Sequence, residues 1–230
     1  MNRKVLSIIG VLIIFLAFQS CASKPEQTLL KRYFDAVSLK DTTTMSTMAL
    51  EPVSIDFASW EIIAIGEETV EPFKLPEMDK KEQELKKKVE ESVGITLDAR
   101  DALDEAKFEL ENARTRSARR AARKKVEEMQ KKYDEQYEKH KNLQKEYNEA
   151  KAAAAREEEI ATFSLGTGEL PTIRTFTGQV RFKTVDVAVK QKDGESKTYR
   201  FYLRKYDLTD ESLGRHYRGR WIIERIEEVK

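Results

Sequence analysis

The segment from Arg114 to Lys125 is the part of the chain whose residue types and spacing point most directly to binding chemistry. Its twelve residues, RTRSARRAARKK, include seven cations and no acid. The cations are Arg114, Arg116, Arg119, Arg120, Arg123, Lys124 and Lys125. Such a cluster can bind lipid or lipopolysaccharide phosphates or an acidic protein, and each cation near an anionic membrane contributes up to about 1 kcal/mol. The alternative is a solvated bend in a longer helix, and the sequence leaves both interpretations open.

Nucleic acid is the partner that this segment fits least. Proteins that bind single strands place aromatic side chains among the cations so that bases can stack on them, and residues 114–125 contain no aromatic residue. The whole chain is also close to neutral, with 42 basic and 41 acidic residues. Because net charge favours no polyanion, we expect no nucleic-acid partner.

The chain offers little from which a catalytic or metal site could be assembled. It has two histidines and one cysteine. His140 falls within a long helical pattern and His216 in a predicted loop before the last strand, and neither has the neighbouring ligands that a metal ion needs. An acid–base pair would require Asp56 or Asp186 to lie buried beside His216. We therefore predict a protein without catalytic activity, metal or cofactor.

Four aromatic residues are candidates for lining a ligand pocket: Tyr33, Phe34, Trp60 and Trp221. Large aromatic side chains at such spacings contribute to hydrophobic cores more often than to binding sites, because each buries so much apolar surface. The sequence leaves the core and the pocket interpretations open.

The N-terminus, MNRKVLSIIGVLIIFLAFQSCAS, has the parts of a secretory signal in order. Arg3 and Lys4 precede an uncharged apolar run of 14 residues, 5–18, whereas a membrane-spanning helix needs roughly 20. The single cysteine, Cys21, follows this run after Gln19 and Ser20. The arrangement resembles the signal of bacterial lipoproteins, which are cleaved before a cysteine that then carries the lipid.

This resemblance implies a signal peptide at residues 1–20 and a lipid attached to Cys21. It also implies a membrane-anchored protein of the bacterial cell envelope that faces the periplasm. Ala22 stands where some lipoproteins have the Asp that retains them in the inner membrane, which favours the outer membrane.

Composition divides the rest of the chain into three parts. Residues 77–165 are rich in Glu, Lys, Arg and Ala, contain no proline and have Gly94 as their single glycine, which is typical of a long helix or coiled coil. Proline before this part and glycine after it mark its borders. We interpret residues 77–165 as an insertion between the two halves of one compact domain, residues 21–76 and 166–230.

Within the insertion, apolar and small residues follow two heptad registers that do not join. The first register includes Leu103 and Leu110, the second includes Val126 and Tyr133, and the break lies within the basic segment. A continuous helix would measure on the order of 120 Å and carry the two halves of the domain to opposite ends. An antiparallel hairpin that turns near Ser117 keeps them together. A parallel homo-oligomer is the alternative.

The compact domain begins with helices and continues with strands. The stretch LLKRYFDAV forms an amphipathic helix, Asp41 caps a second short helix, and residues 60–65 predict a buried strand. After the insertion, the alternation of apolar residues shifts phase between Phe182 and Val185, which predicts a β-bulge near Thr184. The pair Asp193-Gly194 predicts a two-residue hairpin turn, and GRWIIERIEEV predicts the final strand.

These elements resemble the NTF2-like (cystatin-like cone) superfamily. The resemblance rests on LLKRYFDAV, on LKDTTTMSTM and on the terminal GRWIIERIEE. It implies an α+β fold in which helices pack on a curved antiparallel sheet and can enclose a conical pocket. In this chain the fold would be interrupted by the long antiparallel helical hairpin, which the family pattern lacks.

We therefore expect a non-catalytic, lipid-anchored envelope protein with an interaction or scaffold role. The N-terminal lipid would bind the membrane, and the basic tip of the coiled-coil arm would bind an envelope protein or anionic lipid. The alternative is an NTF2-like protein that binds a small ligand and uses the hairpin to form a homo-oligomer.

Overall fold

The computed structural model describes residues 24–166 and 172–229, so the predicted signal peptide and Cys21 lie outside the described residues. The helices are α1 (Pro25–Ser38), α2 (Thr42–Ser46), α3 (Leu75–Asn112) and α4 (Arg116–Leu165), followed by a 3₁₀ turn at Ile173–Thr175. The strands are β1 (Ser59–Ile65), β2 (Thr69–Pro72), β3 (Thr177–Lys190), β4 (Ser196–Asp210), β5 (Arg215–Arg218) and β6 (Ile222–Val229).

The strands form one antiparallel sheet built around the β3–β4 hairpin. These two strands pair from Thr177 opposite Thr209 to Lys190 opposite Ser196. β1 and β2 both pair with the free edge of β3, and β5 and β6 both pair with the free edge of β4. The sheet curves into a half-barrel, so the predicted α+β class with a curved antiparallel sheet is confirmed.

The apolar residues of β3 change phase because the two ends of the strand face different cores. Val180 lies in one core with Tyr206 opposite it in β4, and Val185 lies in the other core with Phe201 opposite it. Side chains five positions apart on a regular strand point to opposite faces of the sheet. The β3–β4 register runs without a shift, so the predicted bulge near Thr184 is wrong.

α1 covers one face of the sheet. Its buried stripe includes Leu30, Tyr33, Phe34 and Val37, which belong to the same core as Val185. Asp41 accepts a hydrogen bond from the Thr44 backbone amide at 3.0 Å, which is the cap that the sequence predicts for α2. Caps of this kind stabilise a helix by about 1 kcal/mol.

The base of α4 covers the opposite face. Ala154, Ile160 and Ala161 lie in the same core as Val180. Ser164, near the end of this helix, donates a hydrogen bond to the Arg220 carbonyl at 2.7 Å. The long helices are therefore built into one of the two cores of the compact domain.

Two strand predictions differ from the structure in detail. β1 was expected to be buried, but it pairs with β3 alone in the described sheet, and as an edge strand it exposes Glu61 and Ile63. The connection between β3 and β4 covers residues 191–195 and is longer than the predicted two-residue turn. Gly194 in this loop has a φ of 95°, which glycine adopts without the steric penalty of a Cβ atom.

α3 and α4 pack side by side in opposite directions and form the arm of the molecule. Ser92 lies opposite His140, with 2.8 Å between Oγ and Nδ1. The heptad residues Leu103, Leu110, Val126 and Tyr133 are buried or half-buried in the seam. Ser117, where the sequence predicts the turn, lies inside α4 because the chain has already turned at residues 113–115. This is the hairpin that the interrupted heptads predict, and the 38 residues of α3 extend about 57 Å at 1.5 Å per residue.

Candidate binding surface at the arm tip

The arm tip, residues 108–125, is held by capping hydrogen bonds to which the basic segment contributes. Thr115 caps α4 by accepting a hydrogen bond from the Ala118 amide at 3.1 Å. Arg119 Nε donates to the Ala113 carbonyl at 2.9 Å. Because the last carbonyls of a helix have no partner within it, Arg119 stabilises the end of α3 and is not a free cation.

A second cation of the segment is also engaged within the fold. Lys125 Nζ lies 2.6 Å from Glu109 Oε1, and this hydrogen bond raises the pKa of Lys125. The remaining five cations are exposed and form neither hydrogen bonds nor ion pairs with any described residue: Arg114, Arg116, Arg120, Arg123 and Lys124. The predicted anion-binding set of seven is thereby reduced to five available cations.

The end of α3 carries the opposite charge. Residues 98–111 contain six acids and two bases. Phe108 lies among these acids and leaves 66% of its surface exposed. It borders a groove of about 520 Å³ that is lined by alanines of the turn and of the start of α4. Sequence reasoning missed Phe108, although its place outside both heptad registers was the available signal.

The base of the arm is held by Arg174, which stands just before β3. Its guanidinium binds Asp79 and Glu82 of α3 and Glu158 of α4, each at 2.8 Å. These charge-assisted hydrogen bonds raise the pKa of Arg174 above its ordinary value. One side chain of the compact domain thus fixes both helices of the arm.

Arg204 of β4 makes a similar connection from the sheet. It binds Glu157 of α4 at 2.8 Å and Glu224 of β6 at 3.3 Å. The Tyr206 hydroxyl donates to Glu157 at 2.9 Å, and burial raises the pKa of Tyr206. These partly buried contacts set the direction in which the arm leaves the sheet.

The histidines lie far apart in the fold. His140 lies in the seam of the arm and bonds Ser92. His216 lies in β5, and not in a loop as predicted, where it is exposed and stands 3.1 Å from Thr209 Oγ1. The carboxylate that shares a groove with His216 is Asp207.

The carboxylates considered for an acid–base pair do not join His216. Asp56 is exposed. Asp186 is bound by Arg200 at 2.7 Å, and this hydrogen bond lowers the pKa of Asp186. Neither residue lines the groove that contains His216.

The four candidate pocket aromatics separate into core and groove. Tyr33 and Phe34 are fully buried, and the ring of Trp60 stacks on Phe34 with 4.6 Å between centroids. Trp221 instead borders a groove of about 450 Å³ beside the start of α1, together with Leu29. Trp221 therefore borders an open groove, whereas Tyr33 and Phe34 belong to the core.

Over the residues that the structure describes, no helix combines the length and the apolar character needed to cross a membrane. In the same residues no group of His, Cys, Asp and Glu is arranged to hold a metal ion. Comparisons of the chain with protein-family profiles, with curated proteins and with solved structures return no match. A functional assignment must therefore rest on the geometry of the chain itself.

Proposed function

We propose that the chain is a non-catalytic, lipid-anchored protein of the bacterial cell envelope whose arm binds an anion-bearing partner at its tip. One observation carries this proposal: five exposed cations at the tip have no partner within the described chain. Exposed cations cost little when they are solvated, but they gain free energy near an anionic surface. An acidic envelope protein or an anionic lipid fits this chemistry.

The construction of the base supports an interaction arm. Arg174 and Arg204 bind acidic residues from both helices, so the base of the arm is joined to the compact domain, and the tip lies at the far end of α3, about 57 Å from its start. A hairpin whose tip served only as a solvated bend would not require ion pairs that join its base to the compact domain.

The proposed place in the cell rests on the N-terminal sequence. Cleavage before Cys21 and lipidation of that residue would anchor the chain, with the outer membrane as the favoured location and the compact domain close to the bilayer. The proposal includes an NTF2-like architecture for the compact domain, and the packing of helix α1 on one face of a curved antiparallel sheet supports it.

An NTF2-like protein that binds a small ligand is the second candidate. The groove of about 450 Å³ beside Trp221 favours it. Tyr33, Phe34 and Trp60 argue against a deep pocket beneath α1, because these side chains pack on one another there. In this function the hairpin would serve oligomerisation.

Photocrosslinking in cells tests the interaction arm. A photoreactive amino acid replaces Ser117, which is exposed at the tip, and a matched variant carries it at Asn142, exposed midway along α4. We expect a discrete adduct from position 117, identified by mass spectrometry, and none from position 142. Equal labelling at both positions, or none at either, would leave the tip as a solvated bend and favour the ligand-binding alternative.

A further inference from the structure

The groove beside Trp221 combines apolar side chains with positive charge. Its volume is about 450 Å³, and Leu29, Met48 and Trp221 are among the residues that line it. The described residues of its lining also include three cations and no acid. An amphiphile with an anionic head fits such a lining, because the apolar side chains and the cations each meet the part of the ligand that complements them.

Two of the three cations are available to a ligand. Arg32 is exposed and forms neither a hydrogen bond nor an ion pair with any described residue. Arg220 is also exposed; its guanidinium lies 5.3 Å from the centroid of the Phe163 ring and binds no carboxylate in the described structure. Lys205, the third cation, has Asp207 as a neighbour at 3.9 Å. Arg32 and Arg220 are therefore the cations that an anion in the groove would meet.

The fold fixes the two sides of the groove. Pro25, Leu29 and Arg32 are spaced by four and three residues, so they lie on one side of α1. On the other side, Lys183 Nζ lies 5.3 Å from the centroid of the Trp221 ring, and this side chain is largely buried. The contact holds the indole in place at the edge of the groove.

The start of α1 brings the groove close to the proposed lipid anchor. Pro25 lines the groove, and Cys21 precedes it by four residues. Four residues of chain reach at most about 14 Å when fully extended. A chain anchored at Cys21 would therefore keep this groove near the membrane surface, where cations are attracted to anionic headgroups.

We propose that this groove binds the headgroup of an anionic phospholipid in the membrane that holds the anchor. The phosphate binds Arg32 and Arg220, because guanidinium groups form charge-assisted hydrogen bonds with phosphate oxygens. The glycerol backbone and the start of the acyl chains contact Leu29 and Trp221, and tryptophan suits a position that is apolar on one side and wet on the other.

Anchor and groove then hold the compact domain on the bilayer at two points. The inference rests on the lipid anchor of the proposed function and is independent of the partner that the arm tip binds.

Tryptophan fluorescence in lipid nanodiscs tests the site on the lipidated chain purified from cells. The chain has two tryptophans, so Trp60→Phe leaves Trp221 as the single one. The nanodiscs contain phosphatidylglycerol and phosphatidylcholine in equal amounts. Bromine, which quenches tryptophan on contact, is placed on the acyl chains of one lipid or of the other. Because the composition is otherwise identical, the ratio of the two quenching values measures the preference of the groove.

We expect brominated phosphatidylglycerol to quench Trp221 at least about threefold more strongly than brominated phosphatidylcholine, because the cations favour the anionic headgroup. Combining Arg32→Gln with Arg220→Gln should bring this ratio to about one, because the phosphate then has no guanidinium to bind. Combining Arg116→Gln with Arg120→Gln removes the same charge from the arm tip and should leave the ratio unchanged.

Trp221→Phe is the control for position, because it leaves Trp60, which stacks on Phe34 and should be quenched little by either lipid. Circular dichroism shows whether each variant keeps its helices. If Trp60→Phe does not fold, the difference between the wild-type chain and Trp221→Phe gives the quenching of Trp221.

Equal quenching of Trp221 by the two lipids, or a preference that survives the loss of both groove arginines, would overturn the inference and leave the anchor and the arm unaffected. A chain that carries no lipid and does not join the nanodiscs would contradict the proposed anchor and this inference together.

Discussion

At the scale of single residues, arginines hold this molecule together at places where several elements meet. Arg174 has 22% of its side chain exposed and binds carboxylates that lie far apart in the sequence. The planar guanidinium offers five donors, which suits it to join three acids that would otherwise repel one another.

Replacing Arg174 with methionine tests how much these ion pairs stabilise the fold. Arg174→Met keeps much of the aliphatic bulk but leaves Asp79, Glu82 and Glu158 without their shared cation. Removing one partner of a buried ion pair costs about 3–5 kcal/mol. Because these groups are partly solvated, we expect Arg174→Met to lower the free energy of unfolding by about 1–3 kcal/mol, as measured by urea denaturation.

Arg156→Met is the matched control. Arg156 pairs with Glu51 at 3.8 Å, and both side chains are largely exposed. This change should cost less than about 0.5 kcal/mol. Equal losses from the two variants would show that Arg174 is an ordinary surface charge.

The pair between Asp186 and Arg200 predicts a pH dependence of stability. Its hydrogen bond lowers the pKa of Asp186 below the ordinary value of 3.8. A carboxyl group whose pKa is lower in the folded state contributes stability above its unfolded pKa and loses that contribution as the pH falls through the folded pKa. Asp186→Asn should therefore destabilise the protein by about 0.5–1 kcal/mol at pH 7, a modest value because Arg200 is partly exposed.

The difference in unfolding free energy between wild type and Asp186→Asn should shrink as the pH is lowered from neutrality to below about 3.8. Urea denaturation at both pH values measures it. A difference that stays constant with pH would mean that the carboxylate charge contributes nothing to folding.

At the scale of secondary-structure elements, two glycines differ in whether the structure has room for a Cβ atom at their position. Gly94 lies within α3 with no atom near the position that a Cβ would occupy, whereas a Cβ on Gly219 would meet Ser164 and lie 2.8 Å from the Tyr206 carbonyl. Gly219 thus allows the link between β5 and β6 to approach the end of α4.

Alanine at each position measures this difference. Gly94→Ala should stabilise the protein by about 0.5–1 kcal/mol, because alanine favours the helix. Gly219→Ala should destabilise it by about 1–3 kcal/mol, because the added methyl group must displace packed backbone. Thermal and urea denaturation give both values, and a neutral Gly219→Ala variant would contradict the close approach.

At the scale of the whole molecule, the proposed function combines two separate features, a lipid anchor proposed at Cys21 and the arm tip. Cys21→Ser should prevent attachment of the lipid, so the chain should move from the membrane fraction to the soluble fraction when cells are fractionated. Labelling with a fatty-acid analogue should be lost at the same time. Ser23→Ala, two residues away, should change neither, and a Cys21→Ser chain that still takes up the label would exclude lipidation at Cys21.

The arm, the cap of α2 and the α+β class follow from local patterns in the chain. Heptads are read over successive helical turns, so the interrupted register between Leu110 and Val126 is enough to predict a hairpin. Asp41 caps α2 through Thr44, three residues away, and such a contact is likewise visible in the sequence.

Distant parts of the chain decide the rest. The alternation in β3 shows which of its residues share a face of the sheet. It does not show that α1 covers one face at one end of the sheet and α4 the opposite face at the other end. From the sequence alone, the resulting change of phase therefore looks like a bulge. Likewise, seven cations in a row do not show that Arg119 caps α3 and Lys125 binds Glu109. Whether a side chain is buried, paired or free depends on elements that fold back from many residues away, and only their packing reveals it.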